Sequence, residues 1–255
     1  MDRVRIEAKP ALRRPTLVAA FSGWNDAGSS ATTAVQYTAE RLGATPFASI
    51  EGEEFFDFTV QRPMVKLDGN QLRTIEWTDF AFLAEETSDL IFLTAPEPHL
   101  RWKTFCESVL HVARETGVQR VALLGSFLAQ VVYSDPVPVT GFASDPQALT
   151  SLAIAPTTYQ GPTGIVGVLA DAFRRESIPV VSIWAAVPHY IAATPNPRAA
   201  LALLLKLRGW LDIALELGPL EAAATMFQSK LLEAIESDRD LSNYVRGLKK
   251  DEPSH

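Results

Sequence analysis

The sequence predicts a three-layer α/β fold, in which helices cover both faces of a mixed, mostly parallel sheet. Short, continuously apolar segments recur between residues 16 and 187, and amphipathic segments with a helical period stand between them. Strands that are apolar on both sides need cover on both sides, and strands that alternate with helices build parallel sheets. A chain of 255 residues has room for one such domain and an appendage.

The first strand–loop–helix unit lies near the start of the chain. The apolar run 16–21 predicts a strand, and the polar, glycine-containing segment 22–28 predicts the loop after it. Apolar residues spaced three and four apart predict a helix over 29–42, which Gly43 ends. Strand–loop–helix is the unit from which parallel sheets are assembled.

The same pattern returns further along. Apolar strands are predicted at 89–95, 121–125 and 178–187, and amphipathic helices at 102–116 and 165–175. Because each strand is followed or preceded by a helix, we expect these strands to lie side by side in one sheet.

The segment 45–77 lacks a helical period. Its apolar runs predict strands at 47–50, 55–60 and 72–77, with Asp68-Gly69-Asn70 as a hairpin turn. A tight turn joins antiparallel strands, so the sheet is expected to be mixed near this segment.

The last 37 residues change character. Apolar residues recur at steps of three and four over 220–235 and again over 241–248, with a polar break at Ser237 and Asp238. These are two amphipathic helices. The prediction therefore divides the chain into an α/β core, 1–218, and a C-terminal helical extension, 219–255. The extension either packs back on its own domain or docks on a neighbouring subunit.

Composition excludes several classes. The net charge of -7 supplies no basic face, so nucleic acid is not expected as a partner. Cys106 is the only cysteine, which excludes an internal disulfide and favours a small buried apolar group over a nucleophile. The most apolar stretch, 199–217, carries four charged residues and predicts a buried helix, not a membrane span. A cytoplasmic protein without a membrane partner is expected.

The loop at 22–28 is the first candidate site, because α/β proteins place ligands between a strand and the following helix. Asn25 or Asp26 is expected to cap the helix, and backbone amides there could hold an anion. In the alternative interpretation, Asp26 caps the helix, Trp24 packs against the protein, and the loop binds no ligand. The loop lacks the GxGxxG pattern of a dinucleotide site.

The glycine-rich loop at 159–167 is the second candidate. Gly161 and Gly164 permit positive φ, and Thr163 is predicted to cap the helix that begins at Ile165. A phosphate cradle would look similar, but no P-loop lysine follows it. Tight packing of the loop against the sheet explains the string equally well.

Carboxylates and a histidine complete the candidates. Glu53 belongs to the string EGEE at 51–54. It either takes part in an acid–base pair of carboxylates or lies on a solvated edge. His189 ends the last strand, either as a general base with Ser22 or Thr163 as nucleophile, or as a hydrogen-bonded structural residue. The four histidines have no metal-ligand spacing, so neither a metal nor a cofactor is predicted.

Taken together, these strings resemble the proteasome assembly chaperone type-two family, in its bacterial branch. They match in order between about residues 16 and 210: GWNDAG (23–28), GEEFFDF (52–58), RP (62–63), EP with RW (97–102), VTG (139–141), GPTGI (161–165) and WAAVPHY (184–190). The resemblance implies a three-layer α/β fold similar in topology to the nucleoside phosphorylase and peptide hydrolase group. It also implies homo-oligomers, with trimers expected, and relatives that help proteasome core subunits assemble.

The resemblance carries over no catalytic residue. Some relatives dock through a C-terminal hydrophobic–tyrosine–any-residue tail, whereas this sequence ends with DEPSH at 251–255. Any chaperone role is therefore expected to use a surface patch or the terminal helices.

Two hypotheses follow. In the first, the protein is a non-enzymatic, oligomeric, chaperone-like protein that binds itself and other proteins, proteasome subunits among the candidates. In the second, it is an enzyme of the phosphorylase or hydrolase type with a pocket at the carboxyl ends of the strands. The candidate ligand-binding residues are Trp24, Asn25, Asp26, Glu53, Gly161, Thr163, Gly164 and His189.

Overall fold

A computed structural model describes residues 3–67, 69, 72–191 and 194–251, the side chains of 249–251 excepted. Eleven strands and seven α-helices lie within these residues. The strands are β1 (Val4–Ile6), β2 (Thr16–Ser22), β3 (Thr45–Ile50), β4 (Met64–Leu67), β5 (Arg73–Glu76), β6 (Phe80–Glu85), β7 (Leu90–Pro96), β8 (Arg120–Ala129), β9 (Val139–Ala143), β10 (Ala155–Pro156) and β11 (Val180–Pro188). The helices are α1 (Ser30–Leu42), α2 (Trp102–Thr116), α3 (Pro146–Ser151), α4 (Ile165–Arg175), α5 (Pro197–Leu211), α6 (Gly218–Ser237) and α7 (Arg239–Asp251).

Nine strands form one sheet in the order β1-β3-β6-β7-β2-β8-β11-β9-β10. Its centre, β7-β2-β8-β11, is parallel, and β3 runs in the same direction. The strands β1, β6, β9 and β10 run the opposite way near the edges. The predicted mixed, mostly parallel sheet is confirmed.

Helices cover both faces of this sheet. On one face α2 and α4 pack over a core rich in phenylalanine, which includes Phe21, Phe55, Phe80 and Phe105. On the other face α1, α3 and α5 cover a core of smaller aliphatic residues. This arrangement confirms the three layers. Cys106 is buried in the first core, as predicted.

The strand predicted at 55–60 is wrong, because this segment forms turns. Phe55 and Phe56 are both buried in the same core, whereas neighbouring residues of a strand point to opposite faces. Gly52 allows the turn to lie against the backbone of Thr78, since a Cβ at Gly52 would lie 1.9 Å from the Thr78 carbonyl oxygen. The chain therefore folds back here instead of extending.

The β4–β5 hairpin lies outside the main sheet and is antiparallel, with Leu67 opposite Arg73. This confirms the pairing expected from the turn at 68–70, of which Asp68 and Asn70 lie outside the described residues. The strands β1, β4, β6, β9 and β10 and the short helix α3 were not predicted from the sequence. The terminal residues 252–255, considered above for a docking tail, also lie outside the described residues.

The two C-terminal helices are confirmed, with their break at Asp238. They pack on their own chain, where Ile235 and Val245 join Val132, Tyr133 and Ile191 in a third apolar cluster. The extension therefore packs back on its own domain, which is the first of the two arrangements expected from the sequence. The boundary at 218 stays a prediction. Within the described ranges, none of the helices has both the length and the apolar character needed to cross a membrane.

Candidate functional site

The candidate site lies where β2 and β7, neighbours at the centre of the sheet, reach their carboxyl ends. After β2 the chain enters α1 on one face, and after β7 it enters α2 on the other. A crevice opens where successive helices leave to opposite faces, and open α/β sheets bind ligands in that crevice.

In this protein, Asn25 and Glu97 fill the crevice. Asn25 is fully buried, and its Nδ2 donates to Oε1 of Glu97 over 2.6 Å. The backbone N–H of Ile165, the first residue of α4, donates to the same oxygen over 2.7 Å. The first N–H groups of a helix lack partners within it, and a carboxylate is favourable there. Glu97 thus ties the loop after β2 to the start of α4.

Gly164 completes this contact. A Cβ at Gly164 would lie 2.2 Å from Oδ1 of Asn25 and 2.6 Å from Oε1 of Glu97, so only glycine permits the approach. Its φ of -93° and ψ of -172° are extended, and Gly161 likewise does not occupy the left-handed region. Neither glycine uses the positive φ that the sequence suggested; Gly164 is required for space. We call Asn25, Glu97 and Gly164 the switch-point junction.

The predicted cap by Thr163 is wrong. Helix α4 has Gly164 at its N-cap position without a side-chain cap, because Glu97 reaches the helix from β7 and takes the Ile165 N–H. Thr163 is exposed and its hydroxyl lies over Gly167, where a Cβ would be only 2.0 Å away.

Asp26 caps α1, as predicted. Its Oδ1 accepts from the backbone N–H of Ala31 over 2.7 Å and of Thr32 over 3.3 Å, and the Thr32 hydroxyl donates to its other oxygen. Burial raises the pKa of Asp26 above its usual value, and the hydrogen bonds from Thr32, Ala31 and Ser126 oppose this rise. The Asp26 carboxylate is therefore hydrogen-bonded to the first turn of α1.

One polar atom of the junction stands out. Among the described residues, Oδ1 of Asn25 is buried without a hydrogen-bond partner. It faces Gly164, and the backbone carbonyl of Asn25 accepts from the Ser126 N–H over 2.8 Å. The Asn25 amide nitrogen and the Ile165 N–H both bind Oε1 of Glu97, which makes the junction a brace between loops.

The remaining candidates, Glu53 and His189, make no hydrogen bond to the junction among the described residues. Glu53 is exposed in the turn after Gly52. His189 accepts or donates at Nε2 with the Tyr244 hydroxyl over 3.0 Å, and its Nδ1 lies 3.1 Å from the Ala129 carbonyl oxygen. These contacts join α7 to the end of β11, which fits the structural interpretation of His189. Trp24 is 60% exposed, so the expectation that it packs is wrong.

The structure thus brings Asn25, Asp26 and Gly164 to one place, whereas Glu53 and His189 form no hydrogen bond there among the described residues. Ligand binding by these residues stays a prediction. Glu97 was overlooked as a site residue, although a carboxylate between two prolines at the end of a strand is a usable signal. Within the described residues, no three His, Cys, Asp or Glu side chains are grouped as a metal site would require.

A sequence profile of the PAC2 family matches residues 20–235. The chain belongs to the PAC2 family. Its likeness to bacterial PAC2 structures confirms the resemblance seen in the sequence. It is 39% identical to a PAC2 family protein from Streptomyces avermitilis, with a TM-score of 0.82 over 91% of this chain and 99% of that one.

It is also 36% identical to the proteasome-assembly chaperone homologue of Mycobacterium tuberculosis, with a TM-score of 0.81 over 90% of this chain and 99% of that one. Pyrococcus furiosus PbaA, an archaeal homolog of proteasome-assembly chaperone, is 16% identical, with a TM-score of 0.68 over 91% and 96% of the two chains. The PbaA comparison concerns the fold alone. A search of curated proteins gives no significant match.

Proposed function

We propose that this PAC2 family protein is a non-enzymatic, chaperone-like protein that binds other proteins through its surface and acts in the cytoplasm as a homo-oligomer. A trimer is the form that the family resemblance favours. The partners proposed are proteasome core subunits, because a 36% identical relative is named a proteasome-assembly chaperone homologue.

One observation carries the proposal. Three apolar residues at or beside the carboxyl ends of β2 and β8 are exposed: Trp24 (60%), Phe127 (38%) and Leu128 (59%). We call them the apolar rim. Trp24 precedes Asn25, and Phe127 follows Ser126, whose N–H binds Asn25, so these two residues flank the junction. Exposed aromatic residues of this kind are typical of protein-binding surfaces.

The junction supports the same proposal. Its crevice, where an α/β enzyme would bind substrate, is occupied by Asn25 and Glu97 bound to each other. Glu53 and His189, which a catalytic pocket would add, form no hydrogen bond with them among the described residues. A fold that hosts many enzymes does not by itself argue for catalysis.

The test uses purified α and β subunits of the proteasome core from the same organism. Native mass spectrometry follows half-proteasome formation with and without the protein. We expect the wild type to bind an assembly intermediate and to accelerate its formation. The double variant Trp24→Ser/Leu128→Ser should bind at least about tenfold more weakly, since central aromatic residues dominate interface energies.

The matched control is Leu205→Ser/Met226→Ser, which removes two exposed apolar residues from α5 and α6. This variant should bind as the wild type does. A wild type that neither binds the subunits nor changes their assembly rate would exclude the proposed partner. Equal loss in both double variants would exclude the rim as the binding surface.

A further inference from the structure

Two arginines at the amino ends of the central strands have no acidic partner. Arg14 lies two residues before Thr16, the first residue of β2, and Arg120 is the first residue of β8. Thr16 is paired with Arg120 in the sheet, and the Gln119 N–H donates to the Pro15 carbonyl over 2.9 Å. The two arginines therefore stand on neighbouring segments. Neither forms an ion pair with any described residue.

The Arg120 side chain is held from two sides. Its Nε donates to the Thr16 hydroxyl over 3.0 Å, and its guanidinium carbon lies 4.3 Å from the centre of the Trp210 ring. Trp210 lies in the last turn of α5 and packs at the edge of the aliphatic core. Neither Nη of Arg120 hydrogen-bonds to a described residue, and neither is buried, so these donors face solvent. We call Arg14, Arg120 and Trp210 the amino-edge site.

Without an anion, the two like charges of this site are unfavourable neighbours. Burial, and to a smaller extent the charge of Arg14, lowers the pKa of Arg120 below its ordinary value. Both guanidiniums are still charged at neutral pH. Arg41 and Arg101, in contrast, are each paired with a glutamate carboxylate. The carboxyl end of α5 contributes about half a negative charge, which leaves a clear positive excess at this place. The whole chain, by comparison, has a formal charge of -7.

We propose that the amino-edge site binds a phosphate group. Two guanidiniums match the charge of a phosphate dianion, whereas a carboxylate would neutralise only one of them. The planar fork of Arg120 offers paired N–H donors to phosphate oxygens, and its stacking on Trp210 fixes the fork before the ligand arrives. Inorganic phosphate and phosphomonoesters share this chemistry. The site lies at the opposite end of β2 from the apolar rim and is a binding site beyond the proposed function.

The experiment follows the indole N–H signal of Trp210 in nitrogen-15 NMR spectra of the full chain. The variant Trp210→Phe identifies this signal among those of the five tryptophans. The probes are inorganic phosphate, glycerol 3-phosphate and acetate at neutral pH. Chloride keeps the ionic strength constant, because added salt alone screens exposed charges.

The test variants are Arg14→Gln and Arg120→Gln, which each remove one charge from the site. The matched control is Arg13→Gln, which removes the same charge from the adjacent exposed residue, whose backbone N–H binds Asp89 on the β7 side. Far-UV circular dichroism checks the fold of each variant. Arg14 is exposed, so Arg14→Gln keeps the test decisive even where Arg120→Gln fails to fold.

We expect a phosphate probe to shift the Trp210 signal saturably and acetate to bind at least about tenfold more weakly. Each test variant should weaken phosphate binding at least about tenfold, because hydrogen bonds between charged groups are the strong ones. Arg13→Gln should bind as the wild type does. The more tightly bound of the two phosphate probes identifies the source of the group.

Three results would overturn the proposal. The first is a Trp210 signal that neither phosphate probe shifts saturably. The second is an equal loss of binding in Arg13→Gln, which would show that the general charge of this surface attracts the anion. The third is acetate binding as tightly as phosphate, which would exclude selection of a phosphate group.

Discussion

The switch-point junction and the β4–β5 hairpin, called the arm below, place their side chains in opposite surroundings. At the junction, Asn25 is fully buried, and one carboxylate oxygen of Glu97 binds two donors. On the arm, apolar side chains are more than half exposed. At the position where α/β proteins commonly hold a ligand, hydrogen bonds here join two loops to the start of α4, whereas the exposed apolar side chains lie on the hairpin outside the main sheet. The comparison shows that buried polar groups and exposed apolar groups occupy separate regions of this fold.

The largest effect is expected at Gly164. The Gly164→Ala variant places a Cβ 2.2 Å from Asn25 Oδ1, so the buried amide must move and the hydrogen bonds of Glu97 must break. We expect the free energy of unfolding, measured in urea, to fall by about 3 kcal/mol or more.

The matched control is Gly209→Ala, in α5, where nothing lies within 4 Å of the added Cβ. Alanine is the better helix former, so this variant should gain about 0.5–1 kcal/mol. If both variants changed the free energy of unfolding by the same small amount, the junction would tolerate the added Cβ, and its contrast with the arm would be lost.

The next largest effect is expected at Glu97. The Glu97→Ala variant leaves the Asn25 amide and the Ile165 N–H without their acceptor in a buried setting. Loss of a buried acceptor predicts destabilisation by about 2–3 kcal/mol in the same urea measurement. Glu53→Ala, an exposed glutamate, should change stability by less than about 0.5 kcal/mol. A loss below 1 kcal/mol for Glu97→Ala would contradict the bracing role.

A smaller, pH-dependent effect is expected at Asp26. Burial raises its pKa in the folded state above the ordinary 3.8, so the folded protein binds the proton more tightly than the unfolded chain does. This contribution to stability is present below the ordinary pKa and is lost as the pH rises through the folded pKa. Relative to Asp26→Asn, which does not titrate, the wild type should lose stability as the pH increases above about 4.

Asp57 supplies a control of opposite sign. Hydrogen bonds from Thr59 lower its pKa, so its contribution is present above the ordinary pKa and lost as the pH falls. Relative to Asp57→Asn, the wild type should therefore lose stability as the pH falls. Urea titrations at several pH values between 3 and 7 measure both differences, and a common sign would show that the Asp26 interpretation is incorrect.

The smallest effect is expected on the arm. Val65→Ala should change the free energy of unfolding by less than about 0.5 kcal/mol, because the side chain is mostly exposed. A change above 1 kcal/mol would indicate that the arm packs on its own body, and the contrast between the two regions would fail.

The elements that could be predicted from the sequence are those set by local pattern. Helices α2 and α4 lie at the predicted residues, because periodic apolar positions define both and Gly117 ends α2. The aromatic run at 55–58 was misleading, since only the tertiary structure shows Phe55 and Phe56 buried together. The short edge strands carry too little pattern to be recognised.

The candidate site was predictable in part for the same reason. Asp26 caps a helix a few residues away, which local spacing indicates. Glu97 acts across 68 and 72 residues of sequence, on Ile165 and Asn25, and no local pattern encodes such a partnership. From its place at a strand end, His189 fits either a general base or a structural residue, and its partner Tyr244, 55 residues further along in α7, is not indicated by any local pattern.

Cys106 gives this protein a practical property. Burial raises the pKa of its thiol to about 12, and the side chain lies deep in the phenylalanine-rich core. Thiolate is the reactive form, so maleimide or nitroxide reagents should leave the native chain unlabelled at neutral pH. A single cysteine introduced at the rim or on the arm would then be the sole attachment point for a fluorophore or spin label, with no need to remove the natural one.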